Sequence, residues 1–387
     1  TGRTFTFTAD GNDYIYNLPD NVNFEPDKVY AFTFTLESSG DTQASPDDMT
    51  NCYMVIPGET LEFPVSRAYK HEDGSFTTTL RATDENYTGE FKAKVVWDDA
   101  GVINGTPTVT GSGNTAVVSV QTKSTAGNAV VKIYKKDDSS ETPVWSYHIW
   151  VTGYTGSETW PNNGFTFMDR NLGATEAALS LAGRGLFYQW GRKDPFPGGK
   201  SGTAGYAALD KFFGMPTAGS PSTVNVSSDD NAAAIVESIQ KPTTFFINKN
   251  TTYYNWLPAP DNMLWNTSEN KKTIYDPCPA GWRVPVHVNN SVSDANSPWA
   301  GVSGQSFSFG DTSGVNWGTN ALYPAAGYRN YSSGFPSDIG TSGDYWSASP
   351  SSSSSNGASN LYFFSGYVFV SPSEYRAYGH SVRCVKE

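Results

Sequence analysis

Alternation of apolar and polar residues predicts that this chain is built largely of β-strands. Between residues 39 and 155, short alternating runs are separated by Gly, Pro, Asn and Asp turns. A turn signal roughly every 8–12 residues is typical of a β-sandwich. The predicted strands are CYMVI, TLEFPVS, FTTTLRA, EFKAKVVW, TAVVSVQT, NAVVKIY and WSYHIWV.

The last two of these runs are typical of a hairpin with the polar tip DDSSETP. Successive side chains of a strand point to opposite faces, so Trp145 and Trp150 face opposite ways. We predict that one ring lies in the sandwich core and that the other covers the sandwich edge or a neighbouring domain.

Residues 1–38 also alternate, in the runs TFTFTADG, DGNDYIYNLPD and VYAFTFTLE. They amount to about two hairpins, which is too little chain for a stable core of its own. We therefore interpret this segment as the remnant or closing part of a larger sandwich, or as strands that pack on the next domain.

From residue 165 to residue 387 the pattern predicts an α+β domain. One helix is predicted in ALSLAGRGLFYQWGRKD and a second over 229–242, with Asp229 or Asp230 as its N-cap. Short alternating runs follow, and the polar, aperiodic residues 156–164 are interpreted as the linker that precedes this domain. The predicted buried stripe of the second helix is Ala233, Ile235, Val236 and Ile239.

Length and charge narrow the class of protein further. A chain of 387 residues suits two or three domains. Its net charge of −12 repels a phosphate backbone, so we expect no nucleic-acid binding. No apolar run reaches the roughly 18 residues that span a bilayer, so we expect no direct membrane insertion. No signal peptide is recognisable, and we expect that any export signal or lipid anchor was removed or lies outside this sequence.

Five short motifs in the second half of the chain point to a known kind of module. They are MDRNLGA at 168–174, YQWGRKDPF at 188–196, DPCPAGWRVP at 276–285, YWSAS at 345–349 and VRCVKE at 382–387. In this order they resemble the Fibrobacter-succinogenes-type major paralogous domain of Bacteroidetes surface proteins, which is related to the C-type-lectin-like fold. The resemblance implies a multi-domain β-rich protein with a C-type-lectin-like domain over 165–387.

Two further resemblances concern the first half. FEPDKVYAFTFTLE resembles the closing strands of Bacteroides fimbrillin domains, and NCYMVIPG with VWSYHIWVTGY resembles a segment that often precedes the C-terminal module. Together they imply an extracellular, outer-membrane-anchored adhesin, such as a fimbrial tip subunit, that binds a glycan or a surface protein of a host or another bacterium. The alternative is a structural pilus or surface subunit without a soluble ligand, joined to other pilin subunits by strand exchange through residues 1–38.

The resemblance also implies that Cys278 and Cys384 form a disulfide. Such a bridge would close a loop of about 100 residues and stabilise the fold by roughly 4–5 kcal/mol in the chain-entropy model. The alternative is two reduced, buried thiols. Cys52 has no evident partner, and its alternating neighbours suggest a buried strand thiol.

Motifs of catalysis and metal binding are not found in the sequence. It lacks HExxH, GxSxG and P-loop patterns, and its Asp doublets lie in predicted turns or at a helix cap. The related formylglycine-generating enzymes need a reactive cysteine pair, whereas Cys278 and Cys384 occupy structural positions. The EPN, QPD and WND strings of calcium-dependent lectins are missing, and no EF-hand spacing supports a structural Ca²⁺. We therefore expect neither an enzyme nor a cofactor or metal site, and a polysaccharide-degrading accessory module ranks third among the functions.

Aromatic residues in the loops between 286 and 345 are the candidates for ligand binding. Carbohydrate sites place an aromatic ring against the apolar face of a sugar and surround it with polar groups. Each aromatic could instead serve packing, and Trp299, Trp317 and Tyr331 are ranked first because they lie in Gly-, Ser- and Asn-rich loops. The predicted ligand-binding residues are Trp299, Trp317, Tyr328, Tyr331, Tyr345, Asn316 and Asn330.

Overall fold

The structure, a computed structural model, is β-rich, with several sheets and one α-helix in the described part of the chain. The chain divides into two compact units, Thr1–Thr42 and Gln43–Glu387. The described residues are 4–9, 12–17, 50–72, 75–99, 101–154, 157–159, 165–198, 224–247, 254–286, 297–300, 313–317, 321–351 and 356–387.

The first unit contains an antiparallel hairpin. Strands β1 (Thr4–Ala9) and β2 (Asn12–Asn17) pair along their whole length. Two of the three strand runs predicted in residues 1–38 are therefore confirmed. The third, VYAFTFTLE, lies outside the described residues.

All seven strands predicted between residues 39 and 155 are confirmed. Among the described residues of this range, two further strands, β5 (Tyr69–Glu72) and β8 (Thr108–Thr110), were not predicted. A four-stranded sheet has the order β3 (Cys52–Val55), β11 (Trp145–Val151), β10 (Gly127–Lys135) and β7 (Phe91–Asp98). A three-stranded sheet has the order β4 (Thr60–Pro64), β9 (Val117–Gln121) and β8 (Thr108–Thr110). A hairpin joins β5 (Tyr69–Glu72) and β6 (Ser75–Leu80), and 3₁₀ turns cover Ser66–Ala68 and Gly113–Thr115.

Strand β11 is buried on both faces, and its alternation separates two hydrophobic clusters. Trp145, Tyr147 and Ile149 pack with side chains of the three-stranded sheet, such as Phe63. Trp150 instead packs with residues from the C-terminal part of the chain. The prediction that the two tryptophans face different surroundings is confirmed.

The described residues of the C-terminal part form three more sheets. The first has the order β12 (Ser157–Thr159), β13 (Thr166–Met168), β24 (Val385–Lys386) and β15 (Trp282–Arg283). The large sheet has the order β19 (Pro336–Ser337), β18 (Tyr328–Arg329), β23 (Gly379–Ser381), β20 (Ser342–Pro350), β21 (Gly357–Phe364) and β22 (Tyr367–Tyr375), with β14 (Phe187–Gln189) paired to β23. A two-stranded sheet joins β16 (Gly314–Asn316) and β17 (Leu322–Pro324).

One of the two predicted helices is confirmed. Helix α1 covers Asn231–Gln240, and the Asp230 side chain caps it by accepting a hydrogen bond from the Ala233 backbone N–H. The predicted buried stripe is partly wrong, because Ala233 is exposed and Ala234 is buried in its place. Ile239 is buried as predicted.

The other predicted helix is wrong. Its sequence folds into bends and turns followed by β14, which pairs with β23 through residues such as Tyr188 and His380. The tertiary pairing overrides a local pattern that resembles one helical turn.

The predicted linker is also more regular than expected. Strand β12 lies within 156–164 and pairs antiparallel with β13. Polar contacts further connect the two halves of the second unit: Thr50 Oγ1 donates to the Cys278 carbonyl at 2.7 Å and Asn51 Nδ2 to the Ile274 carbonyl at 2.7 Å. A division of this unit into two domains stays a prediction.

The disulfide between Cys278 and Cys384 is confirmed, with 6.0 Å between the two Cα atoms. It fixes the segment that leads into β24 to the turn before β15. Asp276 shapes that turn, because its carboxylate accepts the backbone N–H groups of Cys278 and Val284. Cys52 is buried and free, and burial raises the pKa of its thiol.

The YQWGRKDPF motif lies inside the fold and serves packing. Lys193 Nζ donates to the Ser146 carbonyl at 3.0 Å and to Asp194 Oδ1 at 2.8 Å, and Ser146 Oγ donates to the same carboxylate. The Trp190 indole donates to the Ser347 carbonyl. These buried groups are paired, as buried polar groups must be, and they join β11 to the large sheet.

Candidate functional site

Strands β20 and β21 present two different faces, because their side chains alternate. Tyr345, Leu361 and Phe363 point to one side and pack in a buried cluster. Trp346 and Ala358 point to the other side and belong to a second cluster. On this second side the His380 ring stacks on Trp346 and contacts Tyr378, which belongs to the candidate site.

The loop between β18 and β19 holds Tyr331 at the edge of this face. Asn330 Oδ1 accepts hydrogen bonds from the backbone N–H and the hydroxyl of Ser332, at 2.9 and 2.7 Å. The buried Arg329 guanidinium donates a hydrogen bond to the Gly334 carbonyl at 2.8 Å. The loop is therefore fixed at both ends by hydrogen bonds, which orients Tyr331.

Five tyrosines come together there, and we call them the tyrosine cluster. Each of them is half-buried. The Tyr331 ring lies 4.9 Å from Tyr378 and 5.1 Å from Tyr375, edge-on to both, and the latter two rings are parallel. Tyr254 stacks on Tyr375 at 4.3 Å, and Tyr328 meets Tyr378 at 5.1 Å. These separations are those of favourable aromatic pairs, so the cluster is a preformed surface of ring faces and edges.

Three carboxylates lie beside the tyrosine cluster. Asp338 is exposed, Glu374 is half-buried and Asp344 is 4% exposed. None of the three forms an ion pair with a residue that the structure describes. We call the five tyrosines and these three carboxylates together the tyrosine–carboxylate surface.

The carboxylates act on one another and on the nearby tyrosines. Burial raises the pKa of Asp344 well above its usual range, and the charges of Glu374 and Asp338 raise it further against a lowering hydrogen bond from Ser342. Burial also raises the pKa of Glu374. Burial and the same three carboxylates raise the pKa of Tyr362 to about 12. Asp344 and Glu374 therefore favour their neutral forms more than a free carboxyl group does, and they lie next to phenol groups that keep their protons.

Two buried polar atoms behind this surface have no hydrogen-bond partner in the described structure. They are Asn360 Oδ1 and His380 Nδ1. Asn360 Nδ2 lies 3.4 Å from Asp344 Oδ1, and the His380 ring stacks on Trp346 at 4.1 Å. Burial holds the pKa of His380 well below its usual range, so the ring is neutral at pH 7. Buried polar atoms of this kind usually bind a water molecule or a ligand group.

Three of the predicted ligand-binding residues are brought together here. Tyr328 and Tyr331 belong to the tyrosine cluster, and Asn330 shapes the loop that carries Tyr331. Burial, together with the nearby Asp338 carboxylate, raises the pKa of the Tyr328 phenol.

The other predicted residues lie elsewhere. Trp299 and Tyr345 are fully buried, and Trp317 is half-buried against the same cluster, with its ring 5.6 Å from Phe363. The Tyr345 hydroxyl donates to the Pro324 carbonyl at 2.7 Å. Asn316 is exposed at the end of β16. These four residues are not part of the tyrosine–carboxylate surface.

Sequence reasoning missed Tyr254, Tyr375, Tyr378 and Glu374. The last three come from EYRAYGH, in which Tyr378 belongs to the predicted strand run AYGHSVRCV and the other two residues precede that run, and Tyr254 comes from a remote part of the sequence. The sequence signal that could have identified this segment is its closely spaced glutamate and two tyrosines. Without the pairing of β23, no pattern places it beside Tyr331.

Comparisons with known proteins give no assignment: no family model matches the chain, and no curated protein or solved structure is significantly similar to it. No helix in the described part of the chain is long and apolar enough to cross a bilayer. Within the same residues, no group of three or more His, Cys, Asp or Glu side chains is arranged to hold a metal ion.

Proposed function

We propose that this protein is a cell-surface adhesin that binds a carbohydrate through the tyrosine–carboxylate surface. The observation that carries the proposal is the set of five half-buried tyrosines next to three carboxylates without an ion-pair partner among the described residues. Aromatic rings beside acceptors of hydroxyl hydrogen bonds are the usual composition of a sugar site. The motif resemblances support the surface location.

Each group has a defined role in this proposal. The half-buried rings of Tyr331, Tyr375 and Tyr378 contact the apolar C–H face of a sugar ring. Asp338 and Glu374 accept hydrogen bonds from its hydroxyl groups, and charged acceptors make such bonds stronger than neutral ones. Asp344 lies behind them, and its burial favours the neutral form of its carboxyl group.

The finer architecture is part of the same proposal. Residues 39–155 form a β-sandwich and residues 165–387 a lectin-like module that presents the site. The shared core cluster of the four- and three-stranded sheets supports the first statement. The five motifs, which lie in or beside the large sheet and the disulfide, support the second.

A glycan array tests the proposal. The wild-type protein is compared with Tyr331→Ala and Tyr375→Ala, and with Tyr87→Ala as a control for a half-buried tyrosine elsewhere. We expect binding of at least one glycan that weakens by about tenfold in the first two variants, equivalent to about 1.4 kcal/mol, and that persists in the control. Absence of binding to every glycan, or equal loss in all three variants, would contradict the proposal.

A structural subunit is the second candidate, and one observation favours it. In the described strand order β22 is an end strand, and its Tyr367 is 63% exposed. Exposed sheet edges accept a strand from another chain. Concentration-dependent assembly by the purified protein, together with a negative glycan array, would favour this function over the first.

A further inference from the structure

A cavity of about 490 Å³ lies beside β15 and β24, in the four-stranded sheet of the C-terminal part. Four basic side chains, Lys271, Lys272, Arg283 and Lys386, line it, with Glu387 as the one carboxylate. Its volume is within the range of small-molecule sites. An excess of positive groups stands out in a chain of net charge −12.

The four basic side chains differ in how many hydrogen bonds and ion pairs they already form within the protein. Lys272 Nζ donates to the carbonyls of Cys278 and Pro279 at 3.0 and 2.9 Å, and it lies 3.4 Å from Glu387. It therefore serves the local fold. Lys271 pairs with Glu269 at 2.9 Å, but both side chains are more than 70% exposed, where such a pair is weak.

Arg283 and Lys386 are the groups with capacity for a ligand. Lys386 is exposed and forms no ion pair with a described residue. Arg283 is half-buried, and hydrogen bonds to the Asn270 carbonyl and to Asn266 Oδ1 hold its guanidinium in place. Its Nε has no hydrogen-bond partner in the described structure. A cation that is fixed in position and partly desolvated binds an anion more strongly than a mobile surface lysine does.

Of the remaining lining residues, Asn270 is polar and the other three are apolar. Phe165 and Val286 are half-buried and line the cavity together with the buried Val385. A free inorganic ion would make no use of these side chains. A ligand that carries both a negative group and a ring-sized apolar face would contact both parts of the lining.

We infer that this cavity binds an acidic sugar residue, that is, a sugar ring with a carboxylate or sulfate group. The anionic group lies between Arg283 and Lys386, and the ring packs on Phe165. No residue that lines the cavity belongs to the tyrosine–carboxylate surface. Binding at this second site therefore does not depend on the proposed function.

Titration calorimetry with the intact protein tests the inference, with glucuronate as the probe and with glucose and inorganic sulfate as comparisons. We expect glucuronate to bind at least tenfold more tightly than either, and its affinity to fall as NaCl is added. Glucose binding as tightly as glucuronate would show that the charge is not recognised. Inorganic sulfate binding as tightly would show that the sugar ring is not.

Variants identify the cavity as the place of binding. Lys386→Gln changes an exposed side chain and should lower the glucuronate affinity by about three- to tenfold, whereas the control Lys92→Gln, also exposed, should leave it unchanged. Arg283→Lys keeps the charge but loses the planar donor geometry and should also weaken binding. Affinity retained in both cavity variants, or lost equally in the control, would overturn the inference. Thermal unfolding of each variant confirms that it is folded.

Discussion

Asp344 lies where the second face of β20 passes from the core to the surface. Its neighbour Trp346 is fully buried, and its cross-strand partner Tyr362 is half-buried. Two of the interactions that act on its carboxylate are a 3.0 Å hydrogen bond from Ser342 and the negative charge of Glu374. A carboxyl group in such surroundings favours its neutral form.

Asp344→Asn should change the pH dependence of folding. Because the folded-state pKa is raised above the value of about 3.9 in an unfolded chain, the stability that this group contributes is complete below pH 4 and is lost as the pH rises through the folded pKa. The free energy of unfolding of the variant, relative to wild type, should therefore increase from pH 4 to pH 8. Urea unfolding measures it, with the exposed Asp137→Asn as control. A constant difference between Asp344→Asn and wild type would contradict the raised pKa.

The hairpin of β21 and β22 has one face in the hydrophobic core and one face partly exposed to solvent. Its Ser365–Gly366 turn has positive φ at both residues, as a type I′ turn requires, and it sets the pairing of Phe364 with Tyr367. Phe363 packs in the buried cluster on one face, whereas Phe369 is 41% exposed on the other.

Phenylalanine-to-alanine substitutions on the two faces should differ accordingly. Phe363→Ala removes a buried ring and should lower the free energy of unfolding by about 3–5 kcal/mol. Phe369→Ala should change it by less than about 1 kcal/mol, because the ring is already partly in water. Guanidinium unfolding of both variants decides this. Equal losses would mean that the assignment of faces is wrong.

Alternation predicted the strands because a strand with one buried face must repeat with period 2, as β7 and β9 do. The sequence did not predict β14, since the short FYQ run gains its strand structure only from pairing with β23. Tyr331 was identified as a candidate because its loop is rich in Gly, Ser and Asn. Tyr254 and Tyr378 were missed because no such local signal marks them. Their proximity results from long-range packing that no local pattern records.

At the scale of the whole molecule, the disulfide between Cys278 and Cys384 ties together chain segments 106 residues apart. The bridge keeps β24 beside β15, and both strands border the basic cavity. The acidic tyrosine–carboxylate surface and this basic cavity share no residue. The protein therefore offers two surfaces of opposite charge.

Replacing both Cys278 and Cys384 with Ala should lower the free energy of unfolding by about 4–5 kcal/mol, because the unfolded chain loses a constraint over a long loop. Reductant should lower the stability of wild type towards that of the variant and should leave the variant unchanged. Denaturant unfolding with and without reductant measures both effects. A double variant as stable as oxidised wild type would contradict a stabilising role for the bridge.

Hydrogen–deuterium exchange with the tightest-binding glycan from the array tests the central claim most directly. We predict that the glycan slows exchange in peptides covering 328–337 and 373–380, which carry most of the tyrosine–carboxylate surface, and leaves peptides of β7 and β9 unchanged. Slower exchange confined to other parts of the chain would show that the carbohydrate binds elsewhere and would contradict the claim.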